Sequence, residues 1–221
     1  MPSDLPPVHF RERDPRSARS NPPLASPLGE PGMPRPAERS AEALNRIIDW
    51  LAVEKSRRYR AGRGATFCNI YACDVAYLAG AYLPRVWWTK KAITGLLSGK
   101  KVAPRYGITL AELNANALHD WLLEHGGRFG WKRAGSLGEL QACADRGGVA
   151  VICARRADPS RSGHIAVVAP QGPLRARRDP SGLVTMPVLS QAGAINYRRL
   201  VPPRPWWGKP KFSSTIFFTW G

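Results

Sequence analysis

The apolar positions of this chain change period partway along it. In "SAEALNRIIDWLAVEKSRRY", Leu44, Ile47, Ile48 and Leu51 fall at i, i+3, i+4 and i+7, the spacing that lines one face of a helix. A glycine-bearing turn, "RAGRGA", follows. A second helix is predicted from about Cys68 to Leu83, with Tyr71, Val75, Leu78, Ala79 and Tyr82 on its apolar face and Pro84 as its stop. A short helix fits "KKAITGLLSG". Two capping boxes predict two more. Thr109 stands three before Glu112 and opens "LAELNANALHDWLLEHGG", with Leu110, Leu113, Leu118, Trp121 and Leu122 inward. Ser136 stands three before Glu139 and opens "LGELQACADRGG". Both segments close on glycine.

Beyond residue 148 the runs become short, β-branched and aromatic: "VAVICA", "HIAVVAP", "LVTMPVLSQ" and "STIFFTW". Gly, Pro, Ser and charged clusters separate them, which is the pattern of strands. Helices first and strands afterwards, with short connections, argue for an α+β fold with an antiparallel sheet rather than alternating βαβ units. The N-terminal helices are expected to pack on the C-terminal sheet.

Composition changes the picture at the N-terminus. Ten of the 21 prolines lie within residues 1–36, and the segment has neither helical nor alternating period. Residues 1–39 are therefore expected to be a disordered or extended proline-rich arm, a spacer or a docking handle. Residues 40–221 are expected to form one domain, which suits the length of 221 residues and the 43% hydrophobic content.

Charge narrows the partners. The net charge is +17, yet residues 1–40 hold six Arg against five Asp or Glu. The basic character thus belongs to the folded part. Such a surface attracts polyanions: nucleic acid, anionic membrane or a carboxylate-rich polymer. No run of 18 apolar residues is present, so no membrane span is expected. The first residues, "MPSDLPPVHFRERDPRS", lack the apolar core of a classical secretory signal. The expectation is synthesis in the cytoplasm, with any work outside it reached by another route.

The four cysteines, Cys68, Cys73, Cys143 and Cys153, fit no standard zinc spacing. No metal or cofactor is expected. Cys68 and Cys73 would point to different sides of one helix, which disfavours a disulfide; Cys143 and Cys153 could bridge, though nothing requires it.

Cys68 stands where a helix begins. Unpaired N–H groups of a first helical turn stabilise a thiolate, so a cysteine there has a lowered pKa. Of the four histidines, His164 follows "SRSG" and opens the strand "HIAVV". A strand packed on the Cys68 helix would bring its imidazole to the sulfur as a proton acceptor and donor. A third polar group commonly orients such an imidazole. The following strand, "MPVLSQAGAINY", offers Gln191 first and Asn196 second, and alternation along the strand does not decide between them.

The segments "TFCNIYACDVAYLAG" and "SGHIAVVAP" resemble the papain-like cysteine peptidases of bacteria and phages, the NlpC and CHAP groups that cleave peptidoglycan peptides. The resemblance spans about residues 60–200. It implies a papain-like fold with Cys68 as nucleophile, His164 as base and Gln191 as the orienting residue. It also implies amide hydrolysis through a thioester on peptidoglycan stem peptides. Asn69, Trp87 and Trp88 are candidate substrate-contacting residues; the two tryptophans could equally pack the sheet against the helices. A second pair, Trp206 and Trp207 in "PPRPWWGKP", could contact glycan or cover a sheet edge.

Two other readings of the chain stand beside this one. A basic module could bind nucleic acid or cell wall without catalysis, although no nucleic-acid-binding motif is present and the basic residues are scattered. A transglutaminase-like acyl transferase would use the same thioester with an amine as acceptor. The expected setting is periplasm or cell wall, reached by specialised export or lysis. A delivered antibacterial effector, with an immunity protein and a secretion-machine adaptor as partners, is preferred over a phage lysis enzyme.

Overall fold

The computed structural model describes residues 5–8, 32–62 and 64–221. Most of the expected arm, and His9 within it, lies outside the described residues. Residues 5–8 are extended and docked. Leu5 and Val8 are buried. The Val8 N–H donates to the Tyr82 hydroxyl at 2.7 Å, that hydroxyl donates back to the Val8 carbonyl at 2.9 Å, and the Trp88 indole donates to the Pro6 carbonyl at 2.9 Å.

Among the described residues, five α-helices and antiparallel sheets make up an α+β fold. The helices are α1 (Ala41–Leu51), α2 (Cys68–Leu78), α3 (Lys90–Leu97), α4 (Ala115–Glu124) and α5 (Leu137–Asp145). The strands are β1 (Val86–Trp88), β2 (Leu110–Glu112), β3 (Trp131–Arg133), β4 (Val149–Arg156), β5 (His164–Val168), β6 (Arg177–Arg178), β7 (Val184–Met186), β8 (Leu189–Gln191), β9 (Tyr197–Leu200) and β10 (Phe212–Trp220). The main sheet has six strands in the order β3-β10-β4-β5-β8-β9, every pair antiparallel.

Helix α1 buries the four residues whose spacing announced it, Leu44, Ile47, Ile48 and Leu51. Its cap is Ser40, whose hydroxyl accepts from the Ala43 N–H. Helix α2 is the central element. It is buried on nearly all sides, from Cys68 and Ile70 to Leu78, because α1, α4 and the strands β4, β5 and β8 surround it. It stops at Leu78, five residues short of the expected end. Gly80 takes φ +83 and the Ala81 N–H bonds back to the Ala76 carbonyl, so a left-handed glycine closes the helix before Pro84 is reached.

The segment from Thr109 is the main correction to the expected helices. Its hydroxyl accepts from the Arg105 N–H at 2.7 Å and donates to the Ala103 carbonyl at 2.7 Å, leaving nothing for a helix start. Residues Leu110–Glu112 instead pair with β1, Trp88 opposite Leu110 and Val86 opposite Glu112. The helix begins five residues later, where the Asn114 side chain accepts from the Ala117 N–H at 3.0 Å. At Ser136 the box forms: the hydroxyl accepts from the Glu139 N–H, and the Glu139 carboxylate accepts from Gly135. The expected strand "LVTMPVLSQ" is two strands. Pro187, which has no N–H to give a ladder, separates β7, paired with β6, from β8, paired with β5 and β9.

A buried ion pair holds the back of α2. Arg58 grips Asp74 with two bonds, at 2.6 and 3.0 Å, and the Tyr59 hydroxyl donates to the same carboxylate at 2.7 Å. Two buried charges satisfied in this way fix the helix's rotation about its axis. All four cysteines are free and buried. The optional Cys143–Cys153 bridge does not form; Cys153 donates to the Ala115 carbonyl and Cys143 lies against the Val149 and Trp220 carbonyls. Among the described residues, no helix is long and apolar enough to cross a membrane.

Candidate active site

Cys68 is the first residue of α2. Helices α1, α3, α4 and α5 each begin with a Ser, Thr or Asn side chain accepting from the first turn. Helix α2 begins after Phe67, which supplies no such bond. Its first-turn N–H groups are therefore left for another acceptor, and the sulfur sits among them.

His164 opens β5, opposite Ala154 of β4. Gly163 delivers it there: a Cβ on Gly163 would sit 2.1 Å from the Ala154 carbonyl oxygen and 2.7 Å from the Asn116 side-chain oxygen. Only glycine lets the chain run this close to β4. The Asn116 amide ties both flanks of that turn, accepting from the Arg156 N–H and donating to the Arg161 carbonyl, each at 2.9 Å.

The sulfur and the imidazole are close enough that each alters the other's titration. Burial raises the Cys68 thiol. The charge and hydrogen bond of His164, with the backbone N–H groups of Ile165 and Asn69, outweigh burial and hold it below its ordinary value. Burial lowers His164, but the Cys68 charge, its hydrogen bond and the bond to Gln191 raise it above its ordinary value, against a smaller push from Lys211. Both shifts favour a thiolate facing an imidazolium. The other three thiols go the other way: burial pushes Cys73, Cys143 and Cys153 up.

Gln191 stands at the end of β8. Its side-chain NH2 donates to the Ile195 carbonyl at 3.1 Å, so its oxygen is turned to His164 Nε2, 2.7 Å away. Nε2 is then the ring nitrogen that carries a proton to Gln191, and Nδ1 is left for the sulfur. Asn196, the second candidate for this place, is elsewhere. Its NH2 donates to the Val53 and Tyr59 carbonyls and its oxygen accepts from the Gly193 N–H. It anchors the loop after β8. A hydrogen bond between the Tyr71 and Ser190 hydroxyls ties one turn of α2 beyond Cys68 to the residue before Gln191, which sets the depth of β8 against the helix.

His164 and Gln191 line a cleft of about 1100 Å³, and the buried Cys68 lies behind that lining rather than in it. Phe67, Asn69 and Ile70 from α2 and its approach line it, with His164, Gln191 and Trp206. Asn69 is at the cleft, its NH2 tied to the Leu113 carbonyl at 2.9 Å. Trp87 and Trp88 are not. Both are buried. Trp87 packs edge-on to Trp121, Phe129 and Tyr82, and Trp88 holds the docked N-terminal residues. They take the packing role rather than that of a cleft wall. The tryptophan at the site is Trp206, edge-on to the His164 ring at 4.6 Å between centroids. Its indole N–H is buried without an acceptor among the described residues. Trp207 turns away, onto Phe217 of β10.

The remaining described histidines stay out of the cleft. His119 bonds to Asp120 and Ser214, and His125 packs at a tilt on Trp87. Among the described residues, no group of three or more His, Cys, Asp or Glu side chains could hold a metal ion. No protein-family model matches this chain, and no curated protein matches it.

Proposed function

We propose that the chain is a papain-like cysteine hydrolase that cleaves amide bonds in peptidoglycan stem peptides. The observation that supports this most is the asymmetry among four buried thiols. One is drawn down, and it is the one that opens an uncapped helix beside a histidine whose far nitrogen is held by a glutamine amide. Core cysteines have no use for such company.

The arrangement of Cys68, His164 and Gln191 supports this chemistry. The Cys68 thiolate attacks the amide carbon. The oxygen turns anionic and is held by first-turn N–H groups of α2, the Cys68 N–H among them. The C–N bond breaks as the His164 imidazolium gives its proton to the departing nitrogen, leaving a thioester. Water then loses a proton to His164 and adds to the thioester, the acid departs, and the sulfur leaves as thiolate. Gln191 keeps the ring in the orientation both steps need. An amine in place of water would make the same thioester a transferase intermediate.

The resemblance of "TFCNIYACDVAYLAG" and "SGHIAVVAP" to the NlpC and CHAP groups supplies the substrate class, and the basic domain suits a wall polymer rich in free carboxylates. On this reading the protein acts in the periplasm or cell wall as a delivered antibacterial effector. The test is digestion of purified cell walls by wild type and Cys68→Ala, with mass spectrometry of the released muropeptides. New termini made by wild type and absent with the variant are the expected result. Intact walls with wild type, together with salt-sensitive nucleic-acid binding that Cys68→Ala retains, would replace the hydrolase with a binding module.

A further inference from the structure

Among the described residues, five arginines outside the cleft have acidic partners. Arg58 pairs with Asp74, Arg85 with Glu112, Arg155 with Asp120, and Arg198 and Arg199 with Asp49 and Glu54. The cations of the cleft do not. Arg156, Arg161, Arg204 and Lys211 all line it, and none makes an ion pair among the described residues. Glu112 lines the cleft too, but it is engaged by Arg85 and the Tyr106 hydroxyl. Asp158 turns back on its own loop, accepting from the Ser160 N–H and hydroxyl.

The position of these cations relative to the imidazole gives them a direction. His164 touches Trp206, Trp206 packs on Phe212 at 5.8 Å, and Phe212 carries Arg156 at 5.8 Å and Lys211 at 5.2 Å. The cationic wall thus continues the His164 side of the site. In amide cleavage that side receives the departing amine, because His164 must protonate it. Like charges gathered there repel one another, with the exposed Asp158 carboxylate near Arg161 and Arg156; burial and the neighbouring Arg156, Lys209 and Arg161 lower Lys211 from its ordinary value. An anion bound among them removes that cost.

We propose that Arg156 and Lys211, with Arg161 at the rim, form a subsite for a carboxylate carried by the leaving-group side of the substrate. The inference rests on the hydrolase reading for the word "leaving", but the anion site itself is separable from it. Cys68 is the one thiol the environment activates, so its exchange with aryl disulfides reports on the cleft without any hydrolysis. The experiment compares a dianionic reagent, 5,5′-dithiobis(2-nitrobenzoate), with neutral 4,4′-dithiodipyridine, with Cys68→Ala as the blank. The rate ratio of the two cancels changes in the thiol itself.

In wild type the ratio should exceed that of glutathione by about tenfold or more at low salt, the usual scale of steering by a charged cleft. It should collapse toward the glutathione value in 0.5 M salt, a concentration set by the experimenter at which screening acts within ~5 Å. It should also collapse in Arg156→Gln/Lys211→Glu. A ratio equal to glutathione's in wild type, or one that survives the double substitution, overturns the proposal. The second arm uses cell walls whose free carboxylates have been amidated with carbodiimide and ammonia. Release by wild type should fall through a higher KM, and the double variant should not distinguish amidated from native walls. A wild type indifferent to amidation shows that no substrate carboxylate is bound and also overturns the proposal. Intact walls with an undiminished disulfide ratio would instead refute the hydrolase reading and leave the anion site standing.

Discussion

Gln191 binds His164 Nε2 through its oxygen at 2.7 Å because its NH2 is already committed to the Ile195 carbonyl at 3.1 Å. A neutral amide thus sets which ring nitrogen faces Cys68, the part a carboxylate plays in a charged triad. It does so without placing a second negative charge near the thiolate. Gln191→Ala should lower kcat on cell walls by about 10- to 100-fold, with KM and melting temperature nearly unchanged. Gln191→Glu should keep the ring oriented and retain more activity than the alanine variant. Equal activity of wild type and Gln191→Ala would show that the amide does not position the ring.

The titration of the pair predicts the pH profile. The thiol is held below its ordinary value and the imidazole above its own. Activity should therefore rise with pH as Cys68 ionises, earlier than for a free thiol. It should fall as His164 loses its proton, later than for a free imidazole. Alkylation of Cys68 by iodoacetamide across pH isolates the first limb. His164→Ala should move that limb up in pH, because the charge and bond that lowered the thiol are gone while burial remains.

Two glycines separate fold from function. A Cβ on Gly193 would meet the Gln191 Nε2 at 3.1 Å and the His164 Cε1 at 3.3 Å. Gly193→Ala should press on the His164 and Gln191 side chains and, on the proposed reading, cut activity severalfold at little cost in melting temperature. Gly163→Ala must displace the β4 carbonyl that approaches it at 2.1 Å. It should destabilise the sheet by about 1–3 kcal/mol as well as misplace His164. Urea unfolding and wall digestion on both variants make the comparison.

The buried pair behind α2 predicts a stability effect. Arg58 and Asp74 side chains are 7% and 9% exposed. Removing one partner leaves a charge without water or counter-ion, and Asp74→Ala should destabilise the fold by about 3–5 kcal/mol. Denaturant midpoints should show it. A loss well under 1 kcal/mol would mean that Arg58 finds another way to be satisfied.

Much of the helical half is determined by local pattern. Helix α1 and helix α5 each have a periodic apolar face and a serine cap, and both interactions close within a few residues. The start of α2 at Cys68, the strand opening at His164 after Gly163, and the antiparallel α+β class are visible for the same reason. Other features belong to long-range contacts. Thr109 and Glu112 read as a capping box until the pairing of their segment with β1 lets the nearby Arg105 N–H take one side chain and the distant Arg85 the other. Strands β1 and β3 are three residues each, too short to show a period, and exist because β2 and β10 lie beside them. Gln191 and Asn196 lie on the same expected strand segment, and alternation along it does not decide between them. Only the docking of Asn196 on the Val53 and Tyr59 carbonyls removes it from the site. Trp87 and Trp206 each stand in a tryptophan pair, and burial among Tyr82, Trp121 and Phe129 sends one to the core while contact with His164 keeps the other at the cleft. Periodicity and capping are written within a turn or two of the chain, whereas the company a side chain keeps across a sheet is decided by which surfaces bury one another.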